Sequence, residues 1–229
     1  MYRLCFKFSF IVPGIVARWT YAPEHDEGGR FASYMHKAGI VTSAGHTNAT
    51  YADMKVALDS GCHLVTHLYS CTSTVTRKQG FRSLGVIEST FLEDGLVAEI
   101  IADGKHLPAE LIRMIYKIKG PDGIIAVTDS LSLAGTDVKT GRMSSTDFII
   151  EDGVCKLLDR SAFAGSIATA DVLLRTLTKD VDIPICEAVQ LLSKNPARVM
   201  GLDSKGELKF GMDADINVKG VFVGGEKVK

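Results

Sequence analysis

A chain of 229 residues is long enough for one large domain, or for one domain with an appendage. Its hydrophobic content of 46% and charged content of 23% are ordinary for a globular protein, and its net charge of −1 gives no reason to expect nucleic acid or an anionic membrane as a partner. The five cysteines are scattered and include no CxxC pair, which argues against a disulfide framework and favours a reducing compartment.

Apolar, β-branched runs alternate with helical patterns from residue 15 onward. In chain order, the patterns predict a strand at 15–21, a helix at 28–38, a strand at 40–44, a helix at 50–60, a strand at 63–66, a polar loop at 70–82, a helix at 84–92, a strand at 96–102, a helix at 108–117 and a strand at 124–127. This alternation is typical of a parallel sheet with helical crossovers. The sequence lacks the Gly-rich phosphate turn of an open doubly wound sheet, so a β/α barrel is favoured.

The pattern changes after Asp129. Residues 148–158 resemble a hairpin around Asp152-Gly153, residues 168–178 and 185–193 are predicted helices, and residues 206–228 are rich in β-formers and turn glycines. We therefore expect an α/β chain in three parts. They are an atypical N-terminal segment at 1–14, an incomplete TIM-like β/α barrel at 15–204, and a small C-terminal β appendage at 205–229.

A polar, titratable side chain follows each of the five predicted strands. These residues are Glu24, His46, His67, His106 and Asp129. Because the carboxyl ends of barrel strands converge on one mouth, where barrel enzymes place their chemistry, we expect these side chains to meet there.

Two histidines and a carboxylate form a common ligand set for a divalent metal such as zinc, which predicts Glu24, His46 and His67 as ligands. A metal with an open position lowers the pKa of a bound water. Asp129 is then predicted to be the general base, and His106 to orient or polarise a carbonyl group. Together they describe metal-assisted hydrolysis of an amide or a related bond.

Each of these residues also has a purely structural interpretation. A single histidine at a strand end is more often a packed loop residue than a ligand. Glu24 follows Pro23, so it can also be explained as an acidic residue at the start of a helix. Asp129 can also be explained as an ordinary turn residue. The occurrence of His46 and His67 at the ends of adjacent strands favours the metal interpretation for these two.

Motifs at these positions make the sequence similar to the N-acetylglucosamine-6-phosphate deacetylases of the amidohydrolase superfamily. The resemblance runs from about residue 15 to the end of the chain. The motifs that carry it are Thr20-Tyr21-Ala22-Pro23-Glu24, Ser43-Ala44-Gly45-His46-Thr47-Asn48-Ala49, Thr66-His67-Leu68-Tyr69, Ile101-Ala102-Asp103-Gly104-Lys105-His106, Val127-Thr128-Asp129, Ala164-Gly165-Ser166, Asn195-Pro196-Ala197-Arg198, Gly206-Glu207-Leu208 and Gly211-Met212-Asp213-Ala214-Asp215.

The resemblance implies that Glu24, His46 and His67 bind a catalytic divalent metal, with Zn expected. It implies that Asp129 is the general acid/base. The implied substrate contacts are His106 at the acetyl carbonyl, Arg77 at the sugar phosphate, and Ser70, Cys71, Ala164, Gly165 and Ser166 at the sugar. The implied reaction converts N-acetylglucosamine 6-phosphate to glucosamine 6-phosphate and acetate. A cytoplasmic homodimer without nucleic-acid or membrane partners is expected.

The sequence departs from the family pattern in two regions. Ser70 and Cys71 occupy positions where the family usually has Asn-Ala. Relatives also carry a first β layer and the first barrel strands where this chain has only residues 1–14, so we expect an N-terminally truncated copy whose barrel does not close. Two alternatives stay open: an inactive truncated amidohydrolase fragment, and a related cyclic-amide hydrolase.

Overall fold

A computed structural model describes residues 14–143, 146–213, 222–223 and 226–227. The strands are β1 (Arg18–Tyr21), β2 (Val41–Ala44), β3 (Leu64–Val65), β4 (Thr76–Lys78), β5 (Phe81–Ser83), β6 (Val97–Ile101), β7 (Ile124–Val127), β8 (Thr140–Met143), β9 (Thr146–Glu151), β10 (Val154–Leu157), β11 (Phe163–Gly165), β12 (Phe222–Val223) and β13 (Glu226–Lys227). The helices are α1 (Arg30–Lys37), α2 (Tyr51–Asp59), α3 (Val86–Leu92), α4 (Ala109–Lys119), α5 (Ala170–Arg175), α6 (Ile185–Leu192) and α7 (Lys194–Val199). Short 3₁₀ turns occupy Pro23–His25, Glu27–Gly29 and Pro121–Gly123, and a π-turn, Thr176–Asp180, extends α5.

Five strands form a parallel sheet in the order β1-β2-β3-β6-β7. Its register pairs Thr20 with Ser43, Ser43 with Leu64, and Leu64 with Val97. Parallel neighbours in sequence order, joined by helices, are the arrangement of a β/α barrel. Within the described residues the sheet is open, with β1 and β7 at its edges.

Side chains alternate between the two faces of this sheet. Ala98 and Ile100 of β6 belong to the main apolar core, which also contains Ile112 and Ile115 of α4. Glu99 lies between them in β6, so it projects from the opposite face, which we call the inner face. The helices therefore cover one face, and the other carries the polar residues that lie beneath the strand ends.

Two local caps fix the helices that follow β1 and β2. The carboxylate of Asp26 accepts hydrogen bonds from the backbone N–H groups of Phe31 and Ala32, at 2.8 and 3.0 Å. Thr50 and Asp53 form a reciprocal capping box at the start of α2. Thr50 and Asp53 stand three positions apart just before an apolar run, which is the sequence signature of such a cap. Among the described helices, none has both the length and the apolar character needed to cross a bilayer.

A four-stranded antiparallel sheet, ordered β11-β10-β9-β8, follows the parallel sheet in the chain. The predicted hairpin around Asp152-Gly153 is its central pair, with Val154 opposite Glu151. An isolated bridge between Ser130 and Ser166 joins the loop after β7 to the end of β11. The antiparallel sheet therefore lies next to the carboxyl ends of the parallel strands.

The α/β fold and the five predicted parallel strands are confirmed. Three features were not predicted: the hairpin of β4 and β5 inside the polar loop, the outer strands β8 and β11, and the helix α7. The predicted helix at 168–178 is shorter as an α-helix, because it changes to the π-turn at Thr176. Most of the predicted appendage after residue 213 lies outside the described residues, so it stays a prediction, as does the segment at 1–14.

Candidate active site

The two strand-end histidines meet. His46 follows β2, His67 follows β3, and their Nε2 atoms lie 2.9 Å apart. The rings approach edge to face, with centroids 4.7 Å apart and an interplanar angle of 78°. His67 is buried and His46 is exposed. Adjacent parallel strands in this register thus aim two imidazole nitrogens at one point.

The backbone is left-handed at three of the predicted site residues. The φ angles are +50° at His46, +30° at His67 and +46° at Asp129. Non-glycine residues rarely adopt this region, because the conformation costs about 1–3 kcal/mol per residue. It persists only where the surrounding structure imposes it. At His67 that structure is visible, because its N–H donates to the Glu99 carboxylate at 3.2 Å and the N–H of Leu68 donates to the Glu99 carbonyl at 2.7 Å.

His106 is held by a carboxylate three residues before it. Its Nδ1 bonds to Oδ2 of Asp103 at 2.7 Å, while Oδ1 of Asp103 accepts from the backbone N–H groups of Lys105 and His106. Burial alone would raise the pKa of Asp103, but these bonds outweigh burial and lower that pKa below its usual range. The Asp103 carboxylate therefore accepts a hydrogen bond from the Nδ1–H group of His106. This leaves the Nε2 atom of His106 available to a ligand. The rings of His106 and Phe163 approach edge to face, with their centroids 5.0 Å apart.

Asp129 follows β7 and is exposed. The loop behind it is fixed to the segment after β11 by two hydrogen bonds, and a third lies within that segment. Ser130 Oγ donates to the carbonyl of Ala168, the N–H of Leu131 donates to the Ser166 carbonyl at 2.9 Å, and the buried Oγ of Ser166 accepts from the N–H of Ala168 at 3.0 Å. Ser166 therefore shapes the site from behind.

One cavity of about 470 Å³ brings these residues together. Its walls come from the ends of four parallel strands and from the edge of the antiparallel sheet. The lining residues are His46, His67, Ser70, Ile101, His106, Asp129, Leu131, Phe163, Ala164 and Gly165. A larger cavity of about 750 Å³ is lined by residues at the starts of the strands, such as Val41, Leu64 and Val97. Barrel enzymes carry their chemistry at the carboxyl ends, so the smaller cavity is the candidate site.

The residues present fit two of the ligands of a divalent metal. Two imidazoles on one tetrahedral ion place their nitrogens about 3.3 Å apart, given metal–nitrogen distances of roughly 2.0–2.1 Å. The observed 2.9 Å between His46 and His67 is close to that separation. In the parts of the chain that the structure describes, no third His, Cys, Asp or Glu completes a metal-binding cluster with them.

Several other predicted site residues lie outside the cavity wall. Glu24 is not among the residues that line the cavity, and its carboxylate accepts hydrogen bonds from Thr47 Oγ and from the N–H of Asn48 at 2.8 Å. Arg77 lies on the exposed hairpin strand β4, opposite Arg82. Cys71 is exposed with a free thiol. The roles predicted for these three side chains stay predictions.

Sequence reasoning assigned no role to two residues that hold the site. Asp103 stands three residues before His106, a spacing that lets one carboxylate bond both the backbone and the ring. Glu99 is 4% exposed and is the only charge in an otherwise apolar strand. A charge in such a strand was the available signal, because a buried carboxylate requires partners.

Comparison with known proteins identifies the family. The sequence model of the amidohydrolase family matches residues 30–227. The N-acetylglucosamine-6-phosphate deacetylase of Lysinibacillus sphaericus is 32% identical over 197 residues, which are 86% of this chain and 49% of that protein. The crystal structure of the enzyme of that name from Pasteurella multocida matches with a TM-score of 0.83 at 26% identity, over 92% of this chain and 54% of that one.

A third similar protein was solved with a ligand. It is a variant of the Mycobacterium smegmatis N-acetyl-D-glucosamine-6-phosphate deacetylase in complex with N-acetyl-D-glucosamine 6-phosphate, with a TM-score of 0.82 and 27% identity, covering 92% of this chain and 55% of that one. The chain thus spans about half the length of the relatives it matches. Since the family model covers most of the sequence, the chain belongs to the amidohydrolase family.

Proposed function

We propose that this chain carries the site of a metal-dependent deacetylase that hydrolyses N-acetylglucosamine 6-phosphate to glucosamine 6-phosphate and acetate. The observation that carries the proposal is a cavity at the carboxyl ends of the parallel strands whose lining includes His46, His67, His106 and Asp129. The names of the similar proteins support the substrate, because they are deacetylases of this amino sugar phosphate.

His46 and His67 would hold the divalent metal through their Nε2 atoms, with Glu24 as the third proposed ligand and zinc as the proposed ion. When bound, such a metal supplies an activated water for attack on an acyl carbon. The cavity leaves room for both water and substrate beside the two imidazoles. The protein's own contribution is to fix these imidazoles at strand ends, where rigid secondary structure sets their geometry.

Asp129 and His106 would perform the proton transfer and the substrate orientation. Asp129 reaches the cavity from the end of β7 and is proposed to take a proton from the attacking water and return it to the leaving nitrogen. His106 faces the same cavity, with Nδ1 committed to Asp103. Its Nε2 would contact the acetyl oxygen, where negative charge develops during the reaction.

Substrate binding is proposed to use the cavity wall formed by Ser70, Ala164 and Gly165, with Ser166 behind it. Arg77 would meet the phosphate from the exposed hairpin, a task suited to a guanidinium. Cys71 is proposed at the rim of the sugar pocket. A cytoplasmic homodimer remains part of this proposal.

The purified chain, supplemented with zinc, tests the function through acetate release. Acetate should form from N-acetylglucosamine 6-phosphate, and more slowly from unphosphorylated N-acetylglucosamine, because only the former offers a dianion to Arg77. Arg77→Ala should reduce this preference, whereas Arg82→Ala, the neighbouring exposed arginine, should reduce it less. Hydrolysis of a cyclic amide without acetate release would replace the proposal with the alternative activity.

A further inference from the structure

We propose that Glu99 is a positioning residue whose carboxylate fixes the backbone of His67 and thereby directs the His67 imidazole toward His46. Glu99 lies in β6, on the inner face of the sheet, and is buried. Its Oε1 accepts the N–H of His67 at 3.2 Å, and its Oε2 accepts from the Arg18 guanidinium at 2.5 Å. The carboxylate thus ties the end of β3, where the candidate ligand stands, to β6 and β1.

The hydrogen-bond ladder between β3 and β6 is interrupted at His67. The N–H of Val97 donates to the carbonyl of His63 at 2.8 Å, in the register of the two strands. Continued in this register, the evenly spaced bonds of a parallel pair would bring the His67 N–H to the Glu99 carbonyl. That carbonyl instead accepts the N–H of Leu68 at 2.7 Å, and the Glu99 side chain accepts the displaced N–H of His67. The slip of one residue resembles a β-bulge, which re-aims a side chain next to a site.

The orientation of the His67 ring depends strongly on this backbone. A metal-binding histidine usually donates its other ring N–H to a carboxylate or a carbonyl, which sets the direction of the ring. His106 has a partner of this kind in Asp103. The buried Nδ1 of His67 has no hydrogen-bond partner within the described parts of the chain. Glu99 therefore fixes His67 through the left-handed backbone at φ +30°, where Asp103 fixes His106 through the ring.

A polar network holds the Glu99 carboxylate in turn. Arg18 also donates to Thr66 Oγ at 3.1 Å, and Thr66 Oγ lies 2.6 Å from the buried Oγ of Ser43. These side chains come from β1, from β2, from the residue directly after β3 and from β6. Barrel interiors are normally filled by branched apolar side chains, so a polar network here is a departure from ordinary core packing. With its partners fixed on four neighbouring strands, Glu99 has little freedom to move.

The effect on metal affinity rests on the proposed function, whereas the effect on the backbone rests only on the contacts described above. Arg18 allows a structural role to be separated from a positioning role. Arg18→Met keeps the acceptor for the His67 N–H, although it breaks the ion pair. Arg18→Met/Glu99→Leu removes both and should be more stable than Arg18→Met, because no uncompensated carboxylate remains. Arg18→Met/Glu99→Gln keeps an amide oxygen that can accept the His67 N–H.

Zinc titration of these variants by calorimetry, beside urea unfolding, tests the proposal. Arg18→Met/Glu99→Leu should bind zinc about tenfold more weakly than Arg18→Met despite its higher stability, at the low end of the 10–100-fold typical of residues that orient a ligand. Arg18→Met/Glu99→Gln should bind within about threefold of Arg18→Met, because its neutral acceptor retains part of the bond. Ile115→Ala opens a cavity in α4 on the opposite face of the sheet, so it should lower stability and leave zinc affinity within about twofold of the parent chain.

Equal zinc affinity in the two double variants would overturn the proposal, and this comparison does not require Arg18→Met to fold. Affinity that follows stability across all the variants would overturn it as well. If the parent chain binds no zinc, the proposed metal site fails, and hydrogen exchange at the His67 amide tests the positioning alone. Relative to the amide of Met54 in α2, His67 should exchange at least roughly tenfold faster in Arg18→Met/Glu99→Leu than in the parent chain, because a hydrogen bond to a charged group is lost. Unchanged relative exchange would contradict the proposal.

Discussion

The guanidinium of Arg18 and the carboxylate of Glu99 meet at 2.5 Å on the inner face of the sheet, although 81 positions separate them in the chain. Arg18 also donates to Thr66 Oγ at 3.1 Å, and Glu99 accepts the N–H of His67. This pair ties β1 to β6 across the two strands between them and supports the left-handed backbone of His67. The ion pair that joins β1 to β6 is therefore linked through Glu99 to His67, a candidate metal ligand.

Arg18→Met should destabilise the protein by about 3 kcal/mol, because the nearly buried Glu99 carboxylate loses its ion-pair partner. This value is the lower end of the range for breaking a buried pair, since the Arg18 side chain is itself 27% exposed. The Arg18→Met/Glu99→Leu variant should recover part of this loss by removing the uncompensated charge. Urea unfolding would measure both. Lys194→Met, which breaks the exposed pair with Glu207, is the control and should change stability by less than about 0.5 kcal/mol. Equal effects in Arg18→Met and Lys194→Met would show that the inner-face pair is unimportant.

The Asp103–His106 pair predicts a specific pH dependence. Because the pKa of Asp103 is lowered in the folded state, its contribution to stability is present above its unfolded pKa and is lost as pH falls through the lower folded value. Asp103→Asn should therefore destabilise the protein by about 1–2 kcal/mol at neutral pH and by less near pH 3. Unfolding measured between pH 7 and pH 3 would check this. His106→Ala should remove part of the same dependence, since the two backbone N–H groups still bond Asp103. A pH-independent difference would contradict the account.

The contact between His46 and His67 predicts which histidines bind metal. His46→Ala or His67→Ala should weaken zinc binding by more than about 100-fold, beyond the 10–100-fold typical of outer-shell changes. His36→Ala is the matched control, because His36 is an exposed histidine on α1, outside the candidate site. Calorimetric titration of the three variants measures the difference. Unchanged affinity in either site variant would leave the contact as a packing feature.

The strands β6 and β7 could be predicted from the sequence because they are mostly buried and almost entirely apolar, as expected for strands covered on both faces. The cap at Thr50 could be predicted because its chemistry is local. The hairpin of β4 and β5 could not, because its residues are mostly exposed and polar and carry no apolar alternation.

Some site residues could be predicted from their positions at strand ends alone. Four of these residues line one cavity: His46, His67, His106 and Asp129. The placement of Glu24 depends on a different relationship, the bonds it makes to Thr47 and Asn48 in the loop after the next strand. A position after a strand gives the edge of the sheet on which a side chain lies. It does not give the partner that the side chain finds there, because that partner depends on loop conformation.

Acetate release by the Asp129→Asn variant tests the central claim most directly. Asparagine keeps the size of the side chain and removes the proton acceptor, so turnover of N-acetylglucosamine 6-phosphate should fall by at least about 10²-fold while zinc affinity stays within about threefold. The parent chain, measured beside it with zinc, should release acetate. Full turnover in Asp129→Asn, or none in a zinc-loaded parent chain, would contradict the proposed deacetylase.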